Sequence, residues 1–120
     1  MVNRMTEESL KDIAKLRVRV RDLAKAEEIM MTKLEACLVK WEKLCLELGE
    51  PASNVRREDV FRLRAEAYEA LRDALESQSK VEHERSHIPE SLGSLLLDVE
   101  NDFQRYLHNI ATENERTSVN

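Results

Sequence analysis

From Ile13 to Leu48 the apolar residues step alternately by three and four positions. The series is Ile13, Leu16, Val20, Leu23, then Glu27, then Met30, Leu34, Cys37, Trp41, Leu44 and Leu48. All but Glu27 are apolar or cysteine. A helix brings such positions onto one stripe, whereas a strand scatters them over both faces. The alternation in Arg17-Val18-Arg19-Val20-Arg21 has the period of a strand, but the flanking heptads outvote it.

The pattern predicts a first helix over 6–48. Thr6 suits the N-cap, Glu7 and Glu8 the positive end of the dipole, and Met5 with Leu10 the two positions of a hydrophobic staple. Gly49 fits the C′ position and Pro51 follows it. The stripe also changes width. In its second half Met31, Leu38 and Cys45 widen it, where Arg17 and Ala24 stand in the first half. A wide apolar face needs two neighbours and a narrow one needs one, so residues 28–48 are expected inside a bundle.

Residues 50–54 read as a loop, with Ser53 or Asn54 as the next N-cap. A second helix is predicted over 55–84, with Val60, Phe61, Leu63, Ala67, Tyr68, Leu71, Ala74, Leu75 and Val81 as core candidates. Ala65, Ala67, Ala70 and Ala74 would let a neighbour approach closely. The residue before a proline avoids the α region, so Ile88-Pro89 predicts a break and a third helix over 89–112. Its stripe is Leu92, Leu96, Val99, Phe103, Tyr106 and Ile110. The polar residues 113–120 are expected to be a disordered tail.

The expected architecture is all-α. A long N-terminal helix and two shorter antiparallel helices make one domain over 1–120, a three-helix bundle extended into a coiled coil. Two glycines and two prolines are too few for the turns of a β sandwich or a nucleotide-binding α/β fold. The core should hold Met30, Leu34, Trp41, Leu44, Leu48, Leu71, Val99 and Phe103. Trp41 at this spacing reads as a packed side chain. By helical rise the first helix is about 65 Å long and the others about 45 Å and 36 Å. Residues 6–27 should therefore overhang, and the overhang should bind a helix in trans through Leu10, Ile13, Leu16, Arg17, Arg19, Val20 and Leu23. The partner is a second copy or another protein.

Other chemistry has weaker support. His83-Glu84-Arg85-Ser86-His87 spells the H-E-x-x-H of zinc proteases, in which two histidines hold the metal and the glutamate is the base. Pro89 lies where that helix should continue, and Arg85 and Ser86 stand where such helices bury apolar residues. His83 and His87 read better as groups complementing a helix C-terminus. No enzyme activity, cofactor or metal is expected. The basic residues Lys11, Lys15, Arg17, Arg19, Arg21 and Lys25 could contact phosphates, but Asp12 and Asp22 interrupt them and no aromatic lies between. Nucleic acid is disfavoured; the acidic Asp98, Glu100 and Asp102 match this group equally well. Glu27 marks where the stripe widens. No apolar run approaches a membrane span. Cys37 and Cys45 are too far apart along one helix to pair, so free thiols in a reducing intracellular compartment are expected.

Overall fold

A computed structural model describes residues 4–119, and the side chains of residues 6–115. The Met5 end of the proposed staple lies outside the described side chains. Two long helices make up the fold. α1 spans Arg4–Gly49 and α2 spans Arg57–Val119, with a short 3-10 turn at Ala52–Asn54 between them. No strand occurs among the described residues.

The predicted break at Pro89 is absent, because Pro89 lies inside α2. Two helices therefore stand where three were expected. The reason lies in the register of α2. Val60, Ala67, Ala74, Val81, Ile88 and Leu95 recur every seven residues and are all buried or half-buried. That stripe keeps its phase on both sides of the proline, so packing on α1 rewards a continuous helix. It outweighs the lost hydrogen bond and ring clash of an internal proline, about 3 kcal/mol. The expected tail is also corrected: α2 is helical through residues 113–119, and Asn120 lies outside the described residues.

The turn differs in detail from its prediction. Gly49 is the last residue of α1 and no glycine among the described residues has positive φ, so it is not a left-handed cap. The Glu50 amide donates to the Glu47 carbonyl at 3.2 Å instead. Ser53 and Asn54 do not cap α2. They belong to the 3-10 turn, where the Asn54 amide donates to the Pro51 carbonyl at 2.9 Å. Val55 is extended, and the Arg56 carbonyl accepts the amides of Asp59 and Val60.

The chain divides into two compact units. Residues 22–85 form a helical hairpin: the C-terminal part of α1, the turn and the N-terminal part of α2. Residues 4–21 with 86–119 form the other, an antiparallel pair of helical segments far apart in sequence. Residues 9–21 are therefore not an overhang. The Ser9 hydroxyl donates to Asp102 Oδ2 at 2.6 Å, and Ile13 and Leu16 are half-buried. The expectation failed because the uninterrupted α2 supplies the length that two broken helices lack.

In the hairpin the buried apolar residues are Cys37 and Leu44 of α1 and Ala67, Ala74 and Val81 of α2, with Ser77 buried beside them. Small residues on α2 let the helices approach closely. Met30, Trp41 and Leu71 are half-buried. Leu34, Leu48, Val99 and Phe103, expected in the core, are exposed. One neighbouring helix covers a narrow stripe, and these four lie beside it.

Candidate interaction faces

A helix turns 100° per residue, so the contact stripe of α1 has two flanks. The stripe itself runs Leu16, Leu23, Met30, Cys37, Leu44. On one flank stand 12, 19, 26, 33, 40 and 47; on the other stand 13, 20, 27, 34, 41 and 48. The first flank is mostly charged and the second mostly apolar.

In the hairpin the charged flank opens onto two grooves. One is lined by Asp22, Lys25, Ile29 and Lys33 of α1 and by Asp73, Glu76, Lys80 and His83 of α2. The other, near the turn, holds Lys40, Lys43 and Glu47 opposite Asp59, Arg62 and Glu66. There Lys40 Nζ donates to Glu66 Oε2 at 3.1 Å. Arg62 lies 3.5 Å from Glu66 as well. The Lys40 hydrogen bond, then its charge, holds the Glu66 carboxyl below its ordinary value.

The opposite side of the hairpin is apolar and open. The Trp41 and Tyr68 rings meet edge to face, 5.4 Å between centroids and 73° between planes. Around them Met31, Leu34, Leu38 and Leu48 of α1 and Phe61 and Leu75 of α2 are all exposed. Arg64 sits over the Tyr68 ring at 4.8 Å. Cys45 belongs to this side and is an exposed free thiol, whereas Cys37 is buried in the contact. Glu27 ends the apolar run and accepts a hydrogen bond from Arg85 at 3.4 Å. The width of the stripe over 28–48 is real in sequence, but within the chain one helix covers half of it.

The second unit has the same two-sidedness. Its polar groove is lined by Asp12, Lys15 and Arg19 of α1 and by His87, Glu90, Ser91 and Ser94 of α2. Its apolar side carries Leu10 and Val20 of α1 and Leu92, Leu96, Val99, Phe103 and Tyr106 of α2, all exposed. The predicted partner-binding seam is thereby split. Leu16 is half-buried on the contact stripe. Leu23, half-buried, belongs to the hairpin. Arg19 lines the polar groove. Leu10, Ile13, Arg17 and Val20 border or form the open apolar side. Val99 and Phe103, which help complete this side, are core positions by their spacing. Spacing identifies a stripe but not whether a neighbour covers it.

Between α1 and α2 in this unit lies a group of carboxyls that spacing alone does not reveal. Asp98 is hydrogen-bonded to Asp12, and Asp102 to Ser9. The bond to Asp12, then burial, then the charges of Asp12, Glu8 and Asp102 hold the Asp98 carboxyl above its ordinary value. Asp12 Oδ2 is sealed from solvent without a hydrogen-bond partner. The sequence offered the basic residues of α1 as partners for Asp98 and Asp102; the alignment of the helices brings Asp12 and Ser9 there instead.

The H-E-x-x-H residues are all helical. His83 is exposed in the hairpin groove, and His87 is half-buried in the polar groove of the other unit. Among the described residues no three His, Cys, Asp or Glu side chains are grouped so as to hold a metal ion. No helix of the described residues is long and apolar enough to cross a membrane. Comparison with known proteins finds no matching family model, no matching curated protein and no matching solved structure.

Proposed function

We propose that the chain is a non-enzymatic helical interaction protein, a subunit of a larger assembly that binds partner helices through the apolar side of its helix pairs. One observation carries this reading: each unit packs small or few apolar residues inside and leaves its large ones uncovered on one side. In the hairpin Ala67 and Ala74 are 0% and 3% exposed while Phe61 and Leu75 are 58% and 57% exposed. Contiguous exposed apolar surface rimmed by polar residues is the mark of a docking surface. Docked helices bury that surface and gain about 25 cal/mol per Å² of apolar area removed from water. The side chains proposed to engage partners are Leu10, Ile13, Val20, Phe103 and Tyr106 in one unit and Met31, Leu38, Phe61 and Leu75 in the other. Arg17 stands at the edge and selects partners by charge.

Site-specific photo-crosslinking in cells tests the reading. A photoreactive amino acid at Phe103 is expected to yield a defined protein adduct, and the same group at Ser94 in the polar groove none. Equal labelling from both positions, or no adduct from Phe103, would count against it.

A further inference from the structure

We infer that the apolar side of the unit built from residues 4–21 and 86–119 docks a second copy of this chain. The inference rests on the interaction role proposed above and names its partner. Three features of that unit point to self-association.

The first is area. Leu10, Val20, Leu92, Leu96, Phe103 and Tyr106 are between 49% and 61% exposed. A large side chain exposed by half offers on the order of 100 Å². Six of them supply roughly 600 Å² per copy, or about 1,200 Å² for two, the lower end of stable interfaces.

The second is charge. Residues 4–21 hold six basic and three acidic residues; residues 86–119 hold two basic and six acidic. The two signs therefore stand on different helices of one pair. The α1 edge carries Arg17 and Arg21, and the α2 edge carries Glu100. All three are exposed, and none of their side chains makes a hydrogen bond or ion pair to another described residue. A face with one sign on each edge is complementary to itself. A two-fold axis lays the basic edge of one copy along the acidic edge of the other.

The third is where the chain's own opposite charges go. The inward carboxylates of α2 meet no base: Asp102 accepts from the Ser9 hydroxyl and Asp98 faces Asp12. The Lys11 ammonium meets Glu8 within α1. The basic edge is left for an acidic surface outside the chain. The hairpin lacks this segregation, since both its helical segments mix the two signs.

The test is sedimentation equilibrium of the full chain from micromolar to several hundred micromolar. A mass twice 14.0 kDa is expected at the upper end. Leu96→Glu with Phe103→Glu should give a monomer with helicity retained by circular dichroism. Two surface charge variants remain informative if that variant misfolds. Arg17→Glu with Arg21→Glu, and separately Glu100→Lys, should each weaken self-association, the former about tenfold. An equimolar mixture of the two should associate more tightly than either alone. A monomer at every concentration overturns the inference, as does association indifferent to both sets of changes or a mixture no tighter than its parts. If the purified chain is monomeric while Phe103 still crosslinks a protein in cells, the second copy is excluded and the interaction role stands. If neither occurs, both fall.

Discussion

Asp98 shows how a single carboxyl can work against the contact it sits in. Its folded value is raised, so the protein binds more protons there when folded than when unfolded. The stabilising contribution is fully present below the ordinary value of 3.8 and is lost as the pH rises through the raised one. At neutral pH Asp98, Asp12 and Asp102 repel one another across the helix pair. Asp98→Asn is expected to raise the melting temperature at neutral pH, with the gain shrinking as the pH approaches 3.8; a thermal melt series over pH reads it directly. Glu66 has the opposite sign. Its value is lowered by Lys40, so its contribution is present above 4.5 and is lost as the pH falls through the lowered value. Lys40→Ala should remove that part of the pH dependence. Neither group was legible from sequence as a pH-sensitive one. Asp12 and Asp98 are 86 positions apart, and only the alignment of α1 against α2 brings them together.

At the scale of the helix, packing prevailed over local preference. Pro89 and the tendency of Ile88 toward extended backbone argue for a break, and residues 113–119 have little that favours a helix by themselves. The seven-residue recurrence through Val81, Ile88 and Leu95 argues for continuity. The helix period of α1 was legible because its apolar residues are large and regular. The inward stripe of α2 was harder to see, because Ala67, Ala74 and Ser77 are small and the neighbouring Phe61, Tyr68 and Leu75 draw attention to the wrong side. Two substitutions separate these effects. Pro89→Ala restores an amide that can bond the Arg85 carbonyl and should stabilise the chain by up to about 3 kcal/mol. Ala74→Leu forces a branched side chain into the close approach of the hairpin and should destabilise it by about 1–3 kcal/mol. Urea unfolding followed by circular dichroism measures both.

For the molecule as a whole, the sequence conveyed the helical class, but it put the uncovered surface at an overhang. The surface instead runs along one side of each helix pair, with the polar grooves on the other. Dilution should therefore cost stability: the melting temperature is expected to fall as the chain concentration is lowered if partners are copies of itself. The two thiols make occupancy of the hairpin's own apolar side observable. Cys37 is shut inside the hairpin and Cys45 stands on its apolar side, so a maleimide dye should modify one sulfur quickly and leave its neighbour two turns away intact. A solvent-sensitive fluorophore at that one position would brighten when the hairpin's apolar side is capped and dim when the cap is removed, which makes the chain a reporter of its own engagement without any engineered label site.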